Sequence, residues 1–151
     1  MITLENQLLD ISEIEKLALN FSKNLKVGDI IMMKGDLGSG KTTFARFLIN
    51  NLYSLNQLTK PNSINSPTYP ILITYELSSY DIYHYDFYRV RNFNEVEELD
   101  FFSNIGNSIT IIEWPEILLK ERFRYNHYLI NLELHSENTR LINIKYINKL
   151  L

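Results

Sequence analysis

The sequence predicts an α/β fold, a mixed sheet flanked by helices and built as a single domain over residues 1–151. Three observations predict it. Short apolar runs suited to buried strands alternate with segments of helical period along the chain. One such run, Ile30-Ile31-Met32-Met33, leads directly into Gly35-Asp36-Leu37-Gly38-Ser39-Gly40-Lys41-Thr42, which fits G-x-x-x-x-G-K-[ST], and the helical segment Thr43–Ile49 follows at once. The chain then closes on two segments that alternate apolar and polar residues, as a hairpin does. Strand, glycine turn and helix start are the setting a phosphate-binding loop needs, so the sheet is expected to be of the P-loop NTPase kind.

Each element has its own justification. Ile2–Leu4 is read as a short strand. Asp10–Leu25 carries Ile11, Ile14, Leu17, Ala18 and Phe21 near helical period, with Asp10 or Ser12 as the cap. Gly28-Asp29 turns the chain into the strand before the glycine loop, and the helix after the loop is expected to reach about Tyr53. Leu55–Asn65 is polar and aperiodic, hence a surface loop. Tyr69–Tyr75 and Tyr80–Tyr88, rich in Tyr and Ile, are read as a hairpin about Ser78-Ser79. Phe93–Phe102 is a short acidic helix, and Ser108–Ile112 a buried strand ending at Glu113. Tyr128–Leu134 and Leu141–Ile147 form the closing hairpin around Ser136-Glu137-Asn138.

Composition narrows the function classes. The chain has 15 Lys and Arg against 18 Asp and Glu, a net charge of −3 and a pI near 5.6, so it is no general basic surface for nucleic acid. It has no cysteine, which excludes disulfides, thiolate zinc sites and cysteine nucleophiles. Met1–Asp10 carries Glu5 and Asp10 but no Lys or Arg, unlike a secretion signal, and no apolar run approaches membrane length. A cytoplasmic enzyme without membrane attachment is the expectation. The abundance of Asn, Ile, Lys and Tyr reads as genomic drift.

Four segments carry chemistry. In the glycine loop, successive N–H groups can turn inward around an anion while the helix N-terminus adds its positive dipole end. Lys41 can reach outer phosphates and the Thr42 hydroxyl can ligate Mg²⁺, so binding of a nucleoside triphosphate is expected. Ile109-Thr110-Ile111-Ile112-Glu113-Trp114 is a mostly apolar strand that ends in a carboxylate. Such an acid by itself is usually a surface cap. Beside a phosphate loop it reads as the metal-side group, the Walker B position. In His84-Tyr85-Asp86-Phe87-Tyr88-Arg89, strand alternation puts His84, Asp86 and Tyr88 on one face. A buried polar cluster is an equal reading for His84 and Tyr88, whereas Asp86 is assigned to orienting the attacking water. Ser66-Pro67-Thr68-Tyr69, between a polar loop and a strand, sits where a switch segment would, with Thr68 sensing the γ-phosphate or metal.

These segments, taken in order with Ile112-Glu113-Trp114-Pro115-Glu116, resemble the TsaE (YjeE) family, small bacterial P-loop ATPases required for threonylcarbamoyladenosine in transfer RNA. The resemblance covers about Gly28 to Glu116. It implies a P-loop α/β fold and a Mg·ATP-binding ATPase that acts on the complex of TsaB and TsaD and resets it between turnovers. It further implies that Gly38 to Thr43 bind phosphates, that Thr42 and Glu113 hold Mg²⁺, that Thr68 belongs to the switch and that Asp86, with Lys41, serves hydrolysis. Trp114 resembles the family's tryptophan beside the nucleotide or partner surface, with a core role as the alternative. Two positions depart from the pattern: Asp100 stands near the place of a glycine usual before the metal strand, and Ser39 stands where alanine is usual. The family's adenine contacts fall in the N-terminal segment and the C-terminal hairpin, where Arg140 is the candidate.

Two other functions stay open from the residues. A small-molecule kinase would need a lid with clustered arginines, and Arg46, Arg89, Arg91, Arg122, Arg124 and Arg140 form no evident cluster in sequence. A nucleotide-gated adaptor would bind ATP without turnover.

Overall fold

Asp10 decides where the first helix begins. In the computed structural model, which describes residues 1–121 and 123–149, its carboxylate accepts the Glu13 N–H at 2.9 Å and the Glu13 carboxylate accepts the Asp10 N–H at 2.9 Å. This capping box starts α1 (Ile11–Ser22), which buries Ile14, Ala18 and Phe21. The strand ahead of it is longer than the three residues expected. β1 runs Leu4–Asp10, with a register shift between Leu4 and Gln7 and a left-handed Asn6 (φ 46°) that interrupts its alternation. The helix in turn stops at Ser22 rather than Leu25, where Lys23 caps it.

The remaining elements follow in chain order: β2 (Ile30–Lys34), α2 (Lys41–Leu55), β3 (Leu72–Glu76), β4 (Asp81–Asp86), α3 (Phe93–Glu98), α4 (Phe101–Asn104), β5 (Ser108–Glu113), α5 (Glu116–Lys120), β6 (His127–Leu134) and β7 (Thr139–Ile147). Several of these differ from expectation. β3 starts three residues after Tyr69, because the chain first turns through Thr68–Pro70 and a left-handed Ile71 (φ 66°). β4 ends at Asp86, so Tyr88 lies beyond the strand and does not share the face of His84 and Asp86. The acidic helix is two pieces, α3 and α4, broken at Leu99-Asp100 where Asp100 is left-handed (φ 52°). α5 was not expected, being a single turn and a half after Pro115.

The seven strands form one mixed sheet in the order β1-β7-β6-β2-β5-β4-β3. β6, β2, β5 and β4 are parallel, and antiparallel partners flank them on both sides. A parallel centre buried on both faces favours apolar strands; Ile30–Met33 supplies one, and β5, buried along its whole length, adds Ile109, Ile111 and Ile112. Alternation divides them between two cores. Ile31 and Met33 pack with Phe21, Phe44 and Leu48 beneath α1 and α2. Ile30 and Met32 pack with Phe101 and Leu118 on the opposite face. Tyr85 belongs to that second core, in ring contact with Phe87 and Phe101. The β4–β5 register sets Asp86 opposite Glu113, and the β2–β5 register sets Met33 opposite Glu113. Three parallel strands thus deliver their carboxyl ends to one edge, where crevices of α/β sheets form.

Candidate functional site

The glycine loop connects β2 to α2 at this edge. Gly35 is required by close packing, since a Cβ there would come 2.2 Å from the Leu132 carbonyl and 2.5 Å from Ser39 Oγ. Gly40, at φ 106°, gives α2 an N-cap with no side-chain hydrogen bond. The first bond of the helix runs from the Phe44 N–H to the Gly40 carbonyl at 2.9 Å. The Lys41, Thr42 and Thr43 N–H groups therefore stand at an uncapped positive helix end. Ser39 is buried and its hydroxyl has no hydrogen-bond partner, so the loop uses its size rather than its oxygen.

Lys41 folds back on the loop. Its ammonium donates to the Gly35 carbonyl at 2.6 Å and the Asp36 carbonyl at 3.0 Å, and sits 3.9 Å over the Trp114 ring. Burial pushes its pKa below the ordinary value, while Glu113, then Asp86, Glu116 and Asp36, hold it up. Trp114, left-handed at φ 56° directly after β5, is half-buried and lies against Tyr88 at 4.9 Å. It lines the mouth of the site and is no part of either core.

Two carboxylates stand side by side at the ends of β5 and β4, both buried. Glu113 accepts the Thr42 hydroxyl at 2.9 Å on Oε2 and meets His84 Nε2 at 2.8 Å on Oε1. Asp86 accepts the Ser66 and Thr68 hydroxyls on Oδ2 at 2.7 and 2.8 Å, and the Tyr88 N–H on Oδ1 at 2.9 Å. Ser66 and Thr68 are also 2.8 Å apart, so the expected switch segment is tied to Asp86. Arg46, donating to the Ile64 carbonyl at 3.1 Å, anchors the loop just before it. The structure thus brings Gly38, Gly40, Lys41, Thr42, Thr43 and Glu113 to one cleft, with Gly35 and Ser39 in the same loop and Asp86, bonded to Thr68, beside Glu113 in the sheet.

Two of the clefts that border the loop share lining residues. One of about 240 Å³ is lined by Gly38, Lys41, Thr42, Glu113 and Trp114. The other, of about 480 Å³, is lined by Asp10, Ile11, Ser12, Leu132, Asn138 and Arg140. Gly40, Thr43 and Arg140 border both. Arg140 donates to the Ser39 carbonyl at 3.0 Å and so straps the β6–β7 turn to the glycine loop. Of the other arginines, Arg89 lies 5.0 Å from the Tyr69 ring, Arg91 and Arg124 line separate clefts, and Arg122 falls outside the described residues. Among the described residues they gather into no lid.

The family profile "Threonylcarbamoyl adenosine biosynthesis protein TsaE" matches residues 8–142. The chain belongs to the TsaE family. The "tRNA threonylcarbamoyladenosine biosynthesis protein TsaE" of Rickettsia felis is 38% identical over 144 residues, covering 95% of this chain and 78% of that protein. Those of Rickettsia typhi (37% identical, 90% of each chain) and Aquifex aeolicus (32% identical, 85% of this chain and 86% of that one) are similar as well. Among solved structures, YdiB of Bacillus subtilis superposes with a TM-score of 0.66 at 20% identity, over 98% of this chain and 89% of that one, which shows the same fold. Membership in the TsaE family ties the chain to threonylcarbamoyladenosine biosynthesis. The left-handed backbone at Asp100 explains why a glycine suits that place, and the unpartnered Ser39 hydroxyl explains why alanine can replace it.

The donor set also bears on Mg²⁺. Among the described residues no group of three or more His, Asp or Glu side chains forms a protein cage for a metal. Mg²⁺ rarely needs one, since it is commonly held by one or two protein oxygens, water and substrate phosphates. Thr42 Oγ1 and Glu113 Oε2, hard oxygens 2.9 Å apart at the helix start, fit that manner of binding. Sequence reasoning left His84 and Trp114 undecided. His84 proved to be Glu113's partner, which only the β4–β5 pairing reveals.

Proposed function

We propose that this chain binds Mg·ATP in the crevice, hydrolyses it, and through hydrolysis supports threonylcarbamoyladenosine formation by acting on the TsaB–TsaD complex. The observation that carries the reading is the Thr42–Glu113 hydrogen bond, which joins the head of α2 to the end of β5 beside an uncapped glycine loop. Loop N–H groups from Gly38 to Thr43 donate to phosphate oxygens, with the helix dipole adding to the attraction. Lys41 leaves the Gly35 and Asp36 carbonyls for the outer phosphates. Thr42 and Glu113 hold Mg²⁺, whose charge, when it is bound, offsets the negative charge of the phosphates. Arg140 and the cleft from Asp10 to Ser12 receive the nucleoside.

Asp86 is the water-orienting carboxylate of this scheme, and its contacts add a condition. Ser66 and Thr68 occupy Oδ2, so the switch segment must turn toward the γ-phosphate before that oxygen can accept from a water. A slow isolated enzyme is the consequence, with partners accelerating it by drawing the segment away. The test is phosphate release from ATP by the chain alone, with TsaB, with TsaD, and with both. Turnover should rise only with both. Glu113→Ala should weaken Mg²⁺-dependent ATP affinity, whereas Asp86→Ala should keep affinity and lower turnover by about a hundredfold, as loss of a group acting in the transition state does. A rate indifferent to both proteins would overturn the partner assignment, and the reverse pattern in the two variants would exchange the roles of the acids.

A further inference from the structure

We propose that His84 is a positioning residue that makes Glu113 a one-oxygen ligand and thereby selects Mg²⁺ over Ca²⁺. The inference rests on the Mg·ATP reading above. His84 lies on β4 two residues before Asp86, so both side chains leave the same face of the strand, and the register puts Asp86 rather than His84 opposite Glu113. Glu113 meets the imidazole of the residue one step back along that face. The ring is fully buried and its Nε2 is 2.8 Å from Glu113 Oε1. An ionised carboxylate can only accept, so Nε2 carries the hydrogen and donates it. The other nitrogen, Nδ1, has no hydrogen-bond partner. Burying a ring with an unpartnered polar atom costs stability. An aliphatic residue would avoid that cost in a strand that also buries Ile82. What the imidazole adds is its single hydrogen bond to Glu113.

That bond has a chemical consequence. Oε1 is engaged by His84, and only Oε2 faces the Thr42 hydroxyl. Mg²⁺ demands near-octahedral geometry at short distances, where one oxygen per carboxylate fits well. Ca²⁺ is larger, takes more ligands, and readily accepts both oxygens of one carboxylate. A carboxylate with one oxygen tied back therefore withholds from Ca²⁺ the second contact that would favour it. Hydrogen-bond partners of metal ligands tune binding in this way.

The experiment measures ATP affinity by calorimetric titration of the full chain in Mg²⁺ and in Ca²⁺, for the wild type, His84→Phe and His84→Gln. Phenylalanine keeps the ring but has no donor, while the glutamine amide places an N–H near the position of Nε2. The expected result is a preference for Mg²⁺ in the wild type that falls by about tenfold or more in His84→Phe, chiefly through tighter binding with Ca²⁺, and that survives in His84→Gln. Circular dichroism establishes that each variant folds. Should His84→Phe not fold, His84→Asn replaces it, because its shorter amide cannot reach Oε1. An unchanged Mg²⁺ to Ca²⁺ ratio in the donorless variant would overturn the proposal, as would equal losses in the donorless variant and in His84→Gln. Wild-type chain that binds ATP equally without any divalent ion would instead overturn the Mg·ATP reading, and this inference with it.

Discussion

Lys41 is a cation held where burial disfavours it. It is only 5% exposed, and its lowered pKa means that the unfolded chain binds the proton more tightly than the folded one. Below the folded value the lysine is charged in both states and its cost is fully present. As pH rises from the folded value towards the unfolded one, 10.5, the unfolded state holds more protons and stability from this group increases. Replacement by an apolar side chain of similar length therefore removes a cost at neutral pH. Lys41→Met should lower ATP turnover by more than about a hundredfold, through loss of charge at the phosphates. Its thermal midpoint near neutral pH should equal or exceed that of the wild type, with the advantage fading in alkali. Unfolding scans at several pH values beside a turnover assay check both halves. A variant with normal turnover would remove Lys41 from the site, and one much less stable at neutral pH would make it a structural tie between Gly35 and Asp36.

At the scale of elements, the joint between α3 and α4 carries an avoidable strain. Asp100 is exposed, left-handed at φ 52°, and makes no side-chain cap bond to α4. The left-handed region costs an L-residue roughly 1 kcal/mol, which glycine does not incur. Asp100→Gly should raise unfolding stability by about 0.5–1 kcal/mol, less than the full relief because glycine is freer in the unfolded chain. Asp100→Ala should bring no gain, and denaturant midpoints of the two variants decide the matter; a glycine variant no more stable than the alanine one would show that no strain is stored there. The same joint shows why parts of the fold were illegible in the sequence. The break at Asp100 is not marked by any lapse in the apolar pattern, and the left-handed turn at the β-branched Ile71 goes against local preference; they are settled by the packing of Phe101 and the hydrogen bond from the Asp86 N–H to the Ile71 carbonyl. The loop from Gly35 to Thr42 and the acid closing β5 could be read directly, because their chemistry lies in adjacent residues. Thr42 and Glu113, 71 residues apart, are brought together in the sequence only by the family resemblance, and the pairing of His84 with Glu113, 29 residues apart, is not legible there at all, because it depends on the order of parallel strands.

At the scale of the whole molecule, overall charge and the apolar groups exposed near the crevice bear on what the chain can meet. Its net charge is −3, and among the described residues no helix is long and apolar enough to cross a membrane. Around the crevice, by contrast, large apolar groups face outward: Leu37 is 86% exposed, Tyr69 83% and Tyr88 59%. Tyr88 leans on Trp114, Arg89 lies over Tyr69, and Leu37 borders the cleft that holds Lys41, so on the proposed reading these groups sit where a change of nucleotide would be felt. Aromatic groups of this kind anchor protein interfaces. Binding of transfer RNA, which draws on many phosphate contacts, needs an excess of basic groups that the chain does not have. On the proposed reading it therefore meets its pathway through proteins. The isolated chain should bind transfer RNA no more tightly than about 10 μM at physiological salt, with or without Mg·ATP, within the range of nonspecific contacts. Fluorescence anisotropy of labelled transfer RNA over a salt series measures this. Submicromolar affinity with a steep salt dependence would reveal a basic path that the charge balance conceals, and would move the chain from a protein-docking role to direct contact with the RNA.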